Sequence, residues 1–468
     1  ENLNSVESVS KLLKGYKDNI RLIAGDTNEV LKEIDLQNID FTFLDGGHSY
    51  QTVINDLTIL YGSMKDKKKV ILCDDYGKES HIPEVEKAIN DFTKQNNSNK
   101  HNMNPIMWEY GHFLFFWEYL IIRNLDFKHD YIPKLKKEYY DSFLLSKDNR
   151  YYYMDKLVKP DELNKIMSNI QNLMLKVIES NLNPINMYLI YLGCSHQHMH
   201  NESFIYTINQ LDINFNFQNN YDYEEDIYSY MEMINIKGGE YIQGINNDTN
   251  HFYFDNESPG FQVKVDDFMT SKHPITNYQF LQFIKDGCYS MKELFSPEGY
   301  RYIENNNIMM PASWIYKDGE FYERLFGRLI KLRHNHPVSV TWYEANAFCK
   351  FYGYRMLKEK EWEYMAISNK NSNCDYNLPL SILQEKNENM GVYGLYGNYW
   401  EWCEEPIYPY DGFIIDPVYR EMSYPFFGFK KICRGGAWCV PKFLATRTYR
   451  NAQMPNCYYQ FISFRVCK

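Results

Sequence analysis

The segment Gly397-Asn398-Tyr399-Trp400-Glu401-Trp402 places a glycine-asparagine turn shortly before two tryptophans. A second segment of the same character, Arg434-Gly435-Gly436-Ala437-Trp438, follows it along the chain. Glycine allows backbone angles that other residues rarely adopt, and a buried tryptophan contributes a large apolar area. The two segments therefore predict a domain that is poor in regular structure and whose core depends on tryptophans and tight turns.

Five more short elements precede these two segments, and the order of all seven is informative. In this order they resemble the formylglycine-generating-enzyme, or sulfatase-modifying-factor, family. The resemblance implies an irregular α+β domain of C-type-lectin-like fold over residues 230–468, with a tryptophan core. The five elements occupy residues 236–241, 254–257, 274–277, 337–345 and 359–363. The tryptophans expected in the core are Trp342, Trp362, Trp400 and Trp402.

Length and composition bound the rest of the chain. At about 150 residues per domain, 468 residues indicate a multidomain protein with about three domains. Lys+Arg 50 against Asp+Glu 61 give a net charge of −11, which argues against nucleic acid or an anionic membrane as the main partner. No apolar run reaches the length of a membrane span, and the ten cysteines form no CxxC pair. We therefore expect a cytoplasmic protein with reduced thiols, and the oligomeric state stays open.

Residues 1–100 alternate between short apolar runs and amphipathic stretches, which is typical of an α/β fold. The apolar runs lie at residues 21–24, 40–44 and 70–73. Residues 39–50 read as an apolar strand followed by an acidic, glycine-rich turn. They resemble the back half of a class I S-adenosylmethionine-dependent methyltransferase, so this block is expected to be a partial, Rossmann-like α/β domain.

Three carboxylates of this block, Asp45, Asp74 and Asp75, follow two of the predicted strands. Ligands of open α/β sheets bind at the carboxyl ends of strands, so the resemblance implies a site for Mg²⁺ and S-adenosylmethionine. The alternative is that these residues only end strands and cap helices. The glycine-rich loop that holds the cofactor in this fold has no counterpart in residues 1–100. Cofactor binding is therefore expected only if sequence upstream completes the domain.

Residues 104–225 show long stretches of helical periodicity with little glycine. The clearest lie at residues 108–122 and 161–180, and the second begins at the turn signal Lys159-Pro160. This block is therefore predicted to be an all-α domain. The asparagine-rich segments 95–104 and 214–226 are the predicted linkers on either side of it.

Three histidines of the helical block have the spacing of a metal site. His196 and His200 are four residues apart, which puts both imidazoles on one face of a helix and directs His198 elsewhere. Two imidazoles at this spacing make half of a site for a divalent transition metal. His112, in an apolar helix, is the candidate third ligand, although a lone histidine on such a face is more often part of the core. Glu202 is a candidate to orient a ligand.

The helical block resembles the DinB-like helical bundle of the ergothioneine-type and ovothiol-type sulfoxide synthases. In that family a histidine of the first helix and a later HxxxHxE element bind iron, and His112, His196 and His200 match these positions. The resemblance implies a non-haem Fe(II) enzyme that uses O₂ to join a thiol to an imidazole-bearing amino acid as a sulfoxide. The pair of arginines that holds the thiol donor in the ergothioneine-type enzymes is replaced, and only Arg150 is nearby. The thiol donor is therefore unknown.

The same resemblance supplies candidate residues in the C-terminal domain. A tyrosine near the EW element assists proton or electron transfer in the sulfoxide synthases, so Tyr410 is the first candidate and Tyr408 the second. Arg447, Arg450 and Asn451 are candidates to contact the carboxylate or imidazole of an amino-acid substrate. The alternatives are packing for the tyrosines and salt bridges for the arginines.

Copper-dependent formylglycine-generating enzymes are a rival within the same fold. They need a pair of thiols after the RGG element, and residues 445–451 hold no cysteine. Cys433 and Cys439 flank that element and are expected to pack in the core. The leading hypothesis is therefore a sulfoxide synthase. The alternatives are an S-adenosylmethionine-dependent methyltransferase fused to a non-catalytic binding module, and a recognition protein without catalysis.

Overall fold

The chain forms two compact units, Glu1–Met103 and Asn104–Lys468, in a computed structural model. The structure describes residues 31, 41–44, 49–64, 70–73, 103–213, 227–246, 252–368, 373–376, 378–386 and 388–468. Asp45, Asp74, Asp75, the apolar run at 21–24 and the predicted linker 214–226 lie outside the described residues, as does most of the linker 95–104.

The first unit contains two strands and the helix between them in sequence. Strand β1 (Phe41–Leu44) pairs in parallel with β2 (Val70–Cys73), and helix α1 spans Tyr50–Met64. The helix buries side chains at a spacing of three and four residues, which is the period of one helix face. The strands predicted at residues 40–44 and 70–73 are confirmed. The buried apolar side chains of the helix are Val53, Leu57 and Leu60.

The next part of the chain is helical, as predicted. Its two long helices are α5 (Pro160–Ser180) and α6 (Pro184–Gln210). Each begins with proline at its first position, where the backbone N–H that proline lacks would have no partner within the helix. The Asn183 side chain caps α6 by accepting a hydrogen bond from the backbone N–H of Asn186. The helices are α2 (Ile106–Phe116), α3 (Lys137–Tyr140), α4 (Lys147–Tyr152), α5 (Pro160–Ser180) and α6 (Pro184–Gln210). Helix α2 continues into a π-helical turn at Trp117–Ile121 and a 3₁₀ turn at Ile122–Asn124, and another 3₁₀ turn covers Met154–Lys156.

Two glycines allow close approach around helix α2. A Cβ added at Gly193 of α6 would lie 2.5 Å from the ring of Trp117. A Cβ added at Gly111 of α2 would lie 2.0 Å from the ring of Tyr140. Both distances are shorter than any ordinary carbon–carbon contact, so only glycine leaves room for these aromatic rings. The two glycines thus bring α6 and the Tyr140 segment against α2.

The C-terminal part mixes short strands and helices, which confirms the predicted irregular α+β architecture. One four-stranded sheet has the order β10-β17-β6-β3 and another the order β15-β14-β13-β16. The strands are β3 (Met233–Ile236), β4 (Gly239–Gln243), β5 (Phe261–Val265), β6 (Phe268–Ser271), β7 (Trp314–Lys317), β8 (Glu320–Leu325), β9 (Arg328–Lys331), β10 (Arg355–Met356), β11 (Glu388–Asn389), β12 (Val392–Tyr393), β13 (Trp400–Pro406), β14 (Lys431–Arg434), β15 (Asn451–Gln453), β16 (Ile462–Phe464) and β17 (Val466–Cys467). The helices are α7 (Asn277–Lys285), α8 (Pro297–Asn305), α9 (Trp342–Phe351) and α10 (Glu359–Met365).

Tryptophans form the centre of the C-terminal part, as the sequence predicts. Trp362, Trp400 and Trp402 are fully buried, and Trp342 is partly exposed. Each indole N–H has an acceptor; that of Trp402, for example, donates to the Val340 carbonyl at 2.9 Å. A buried indole N–H without an acceptor would be costly, so these bonds help to define the loops that supply the acceptors.

The helical part and the C-terminal part share one hydrophobic core, which runs from Trp108 to Val466. The segments 104–225 and 230–468, which the sequence assigns to separate domains, therefore pack as one compact unit. Cys433 and Cys439 are buried free thiols within this core, in agreement with the predicted packing role. None of the helices in the described part of the chain is both long and apolar enough to cross a membrane.

Buried ion pairs attach helix α10 to the last strands. The Arg434 guanidinium contacts Glu359 at 3.1 Å and Glu363 at 2.7 Å, and Arg450 contacts Glu359 at 2.7 Å. Nearby, Glu401 of β13 pairs with Arg465 at 2.9 Å. We call this set the ion-pair network. Its charges are buried and each has an opposite charge in direct contact, which is the condition under which buried charges are tolerated.

Candidate metal centre

Three histidines meet where helix α2 packs against α6. One ring nitrogen from each of His112, His196 and His200 lies within 4.8 Å of the other two. His196 and His200 are one turn apart on α6, and their Nε2 atoms are 3.3 Å apart. His198, between them in sequence, contacts the Tyr376 hydroxyl instead. We call His112, His196 and His200 the histidine cluster.

Hydrogen bonds at Nδ1 determine which nitrogen of two rings faces the cluster. The Nδ1 atom of His112 donates to the Tyr140 carbonyl at 2.6 Å, and that of His200 contacts Glu109 Oε1 at 2.7 Å. Because carbonyl and carboxylate oxygens accept, Nδ1 carries a proton in both rings, and Nε2 is the nitrogen that can bind a metal. The Nδ1 atom of His196 is buried without a hydrogen-bond partner in the described part of the chain. The Nε2 atoms of His196 and His200 face each other at hydrogen-bond distance, so the two rings can share one proton or give both lone pairs to a cation.

Aromatic neighbours and burial act on two of the rings, those of His112 and His196. Trp108 stacks on His112 with ring centres 4.7 Å apart, and Phe116 stacks on His196 at 3.6 Å. Burial, followed by the neighbouring imidazoles, holds the pKa of His112 and His196 well below the usual range. Neutral imidazole is the form that binds metals. The donor set therefore fits a divalent transition metal held by three nitrogens with open positions remaining.

The carboxylate that contacts a cluster histidine is Glu109, and not Glu202 as the sequence suggested. Glu109 lies on α2, is 1% exposed and leaves its Oε2 atom without a hydrogen-bond partner among the described residues. Glu202 instead accepts a hydrogen bond from the Trp400 indole at 2.7 Å, and burial raises its pKa to about 7. The difference arises because Glu202 follows His200 by two residues, a spacing that carries its side chain around the helix toward the C-terminal part.

A cavity of about 300 Å³ reaches the histidine cluster and is lined by both parts of the unit. Arg150 and Lys430 line it, and burial, followed by Lys147, lowers the pKa of Lys430 to about 8. Two buried acceptor atoms on its wall, Asn256 Oδ1 and Gln460 Oε1, have no hydrogen-bond partner in the described residues. Such orphaned acceptors are costly unless a ligand or water supplies a donor. The cavity can therefore bind both N–H groups and carboxylates.

The structure does not bring the predicted tyrosines into this cavity. The Tyr408 side chain is 55% exposed. Tyr410 is buried elsewhere, where its ring packs 4.0 Å from the Arg450 guanidinium and its hydroxyl accepts a hydrogen bond from Gln243. Both residues follow strand β13 in sequence, and neither lines the cavity.

A different tyrosine, Tyr419, lines the cavity. Its ring packs edge-on against His196, with centres 5.6 Å apart, and against Phe116 at 4.8 Å. Burial raises its pKa, so the phenol keeps its proton at neutral pH. No periodic pattern in the sequence singles out Tyr419 among the 42 tyrosines. Only the contact with His196 does so.

The three predicted substrate-binding residues have different surroundings, and only two of them line the cavity. Arg447 pairs with Glu363 at 2.7 Å and is not part of the cavity wall. Arg450 lines the cavity, but its donors are used by Glu359 and the Asn256 carbonyl. Asn451 also lines the cavity, and its Oδ1 accepts from the Ala452 N–H at 2.8 Å. The arginines thus take part in ion pairs, the alternative that the sequence left open.

The C-terminal part matches the family described as "Sulfatase-modifying factor enzyme 1-like domain" over residues 221–378 and 370–468, which is more than half of the chain. The protein therefore belongs to this family, as the seven sequence elements predict. Residues 2–76 match a second family, described as "Methyltransferase domain".

Several curated proteins are similar to this chain. The hercynine oxygenase of Mycolicibacterium smegmatis is 27% identical over 248 residues, which cover 47% of this chain and 57% of that protein. The hercynine oxygenase of Mycolicibacterium thermoresistibile is 22% identical over 393 residues, covering 75% and 84%. The chain thus spans little more than half the length of the first relative. The structure of PvdO from Pseudomonas aeruginosa is 20% identical, covers 50% of this chain and 93% of that chain, and has a TM-score of 0.35.

Proposed function

We propose that this protein is an Fe(II)- and O₂-dependent oxygenase that joins a thiol to a histidine-derived imidazole and releases a sulfoxide. The histidine cluster carries the proposal: three imidazoles, two of them buried, converge on one point beside a cavity. The similarity to two hercynine oxygenases supports an oxygenase with a histidine-derived substrate. The overall reaction balances without an external reductant, because the thiol hydrogen and the imidazole hydrogen leave with one oxygen atom as water.

His112, His196 and His200 would hold the iron, which supplies activation of O₂ when bound. The cavity wall accounts for binding of an amino-acid substrate. Orphaned Asn256 Oδ1 and Gln460 Oε1 would accept hydrogen bonds from an ammonium or imidazole N–H. Lys430, in the same wall, would pair with a carboxylate.

Tyr419 is the proposed proton donor. Its phenol is protonated and its ring contacts His196, whereas Tyr410 and Tyr408 lie outside the cavity wall. A positioned acid of this kind contributes on the order of 100-fold or more to a rate. We expect Tyr419→Phe to slow sulfoxide formation by about that factor and Tyr410→Phe to change it little. A large loss in Tyr410→Phe with an active Tyr419→Phe would favour the assignment made from sequence.

Metal analysis tests the central proposal. Wild-type protein purified without chelators should contain about one iron per chain, and replacing both His196 and His200 by alanine should abolish it. His198→Ala is the matched control, because His198 belongs to the same helix but contacts Tyr376. Iron-free wild-type protein, or iron retained in the double variant, would contradict the proposal. The first result would favour a recognition protein without catalysis.

The methyltransferase alternative receives less support. The similar curated proteins include two hercynine oxygenases, one of them aligned over 75% of this chain, whereas the methyltransferase match covers residues 2–76. Calorimetric titration of the full chain with S-adenosylmethionine tests it directly. We expect no binding heat, and saturable binding would restore this alternative.

A further inference from the structure

A second cavity, of about 480 Å³, lies beside the first half of helix α6. It shares none of its lining residues with the cavity at the histidine cluster. The wall contains four aromatic side chains and two carboxylates, together with aliphatic and proline residues. The aromatic side chains are Tyr188, Tyr191, Phe252 and Tyr253, and the carboxylates are Asp255 and Asp416.

Three of these rings, those of Tyr188, Tyr191 and Phe252, form a continuous aromatic wall. Tyr191 lies nearly parallel to Phe252, with centres 6.2 Å apart and an angle of 21° between the planes. Tyr188 lies on the same ring of Phe252 at 5.8 Å and 37°. Tyr191 is 48% exposed, so a face of this wall remains open to a ligand. Faces of aromatic rings carry negative potential and attract cations.

The two carboxylates add negative charge, and no cation in the described part of the wall balances it. Asp255 accepts from the Ser423 hydroxyl at 2.6 Å and from the Asp416 N–H at 3.3 Å. Asp416 accepts from the Tyr188 hydroxyl and from the backbone N–H groups of Val418 and Tyr419. All of these donors are neutral, and no lysine, arginine or histidine occurs among the described residues that line the cavity. Burial and the neighbouring Asp416 raise the pKa of Asp255.

We propose that this cavity binds a small organic ammonium ion with an apolar body, of the quaternary or methylated kind. The carboxylates exclude an anion, and a neutral apolar ligand would leave buried Asp255 and partly exposed Asp416 without an opposite charge. A metal ion needs a shell of oxygen ligands, which a wall of four rings does not supply. An alkylated ammonium ion meets both features, since its charge faces the carboxylates and its methyl groups pack on the rings.

Ligand binding in this second cavity does not require the proposed iron, although the cavity lies close to the histidine cluster. Asp416 Oδ1 accepts from the backbone N–H of Tyr419 at 2.7 Å, and the ring of Tyr419 contacts His196. A cation at Asp416 would therefore contact the segment 416–419, whose residue Tyr419 lines the histidine cavity.

Calorimetric titration of the full chain with choline tests the proposal. Its uncharged analogue of the same shape, 3,3-dimethylbutan-1-ol, is the ligand control. We expect saturable binding of about one choline per chain and binding of the neutral analogue weaker by about tenfold or more. Tyr191→Leu should weaken choline binding by about tenfold. Tyr316→Leu, which changes a similarly exposed tyrosine on strand β7, should leave it unchanged.

Three results would overturn the proposal: no saturable binding of choline, equal affinity for the neutral analogue, or undiminished binding in Tyr191→Leu. The variant with both His196 and His200 replaced by alanine separates this proposal from the iron hypothesis. We expect it to bind choline with wild-type affinity although it lacks the histidine cluster. Loss of choline binding in that variant would place the choline in the histidine cavity and would also overturn the proposal.

Discussion

The ion-pair network and the histidine cluster are two buried polar regions of one compact unit, built on opposite rules. In the network, the Arg434 guanidinium contacts Glu359 and Glu363, and Arg465 contacts Glu401, so each charge meets its opposite. In the cluster, groups of the same kind face one another, with two Nε2 atoms 3.3 Å apart. Each charge of the network has an opposite charge in contact, whereas the cluster and its cavity leave several polar atoms without a partner.

This contrast distinguishes polar groups that hold the fold together from polar groups that are available to a ligand. A buried polar group without a partner costs free energy, so a chain that keeps several of them in one cavity gains something else from their presence. By contrast, the guanidinium of the predicted substrate residue Arg450 already donates to Glu359 and to the Asn256 carbonyl, so it serves the network and not a substrate. The proposed iron site is therefore lined by the unmatched groups of the cluster cavity and not by the paired charges of the network.

Arg434→Met gives the largest expected effect on this comparison. It leaves Glu359 in contact with Arg450 alone and Glu363 with the partly exposed Arg447. Removing one partner of a buried pair typically costs about 3–5 kcal/mol, and we expect a loss of that size in the free energy of unfolding measured with urea. Arg324→Met removes an exposed pair with Asp212 and should cost less than about 1 kcal/mol. Similar losses in both variants would show that the network is not special.

Glu109→Gln changes a residue that contacts the histidine cluster from outside, at the Nδ1 of His200. The carboxylate fixes the Nδ1 proton of His200 and adds negative charge behind the ligand, so its loss should weaken iron affinity by about 10- to 100-fold. Competition with a chelator of known affinity measures this, with no need for turnover. Glu202→Gln, which changes the carboxylate bound to Trp400, should have a smaller effect. The reverse order of the two variants would restore the role that the sequence suggested for Glu202.

Glu257 is a buried carboxylate that is hydrogen-bonded, like the groups of the network, but has no ion-pair partner in direct contact among the described residues. Its ionisation gives the smallest expected effect. The carboxylate accepts from the Thr448 hydroxyl and the Phe254 N–H, and burial raises its pKa to about 7. Below the ordinary pKa of a glutamate both the folded and the unfolded states hold the proton, so its contribution to stability is fully present. As pH rises toward 7 the unfolded state releases that proton first, and about 1–3 kcal/mol is lost.

The substitution Glu257→Gln isolates this contribution, because an amide side chain can still hydrogen-bond to the Thr448 hydroxyl and the Phe254 N–H but cannot ionise. Urea denaturation of the wild type and the variant at several values between pH 5 and pH 8 gives the difference in slope. We expect the wild type to lose stability relative to the variant as pH rises. Parallel curves would show that Glu257 is ionised in the folded protein across this range.

Much of the fold was predictable because its signals are local. Helix α5 begins at the proline of the Lys159-Pro160 signal, the strands at 41–44 and 70–73 are short apolar runs, and the buried tryptophans belong to short elements with their own turns. The i, i+4 spacing of His196 and His200 is equally local, since both residues belong to one helix. A pattern that lies within one element can be read without knowing how elements pack.

What the sequence determined by itself is therefore the type of each element and the pair of histidines on one helix face. The tertiary structure decided which residues join that pair. Glu109 contacts His200 across 91 residues of sequence. Tyr419, which belongs to the C-terminal part, contacts His196 of helix α6. Tyr410, from the same stretch of sequence, packs against Arg450 instead. Such contacts depend on how helices and loops approach one another, and here that approach depends on glycines such as Gly193, whose missing side chain makes room for Trp117.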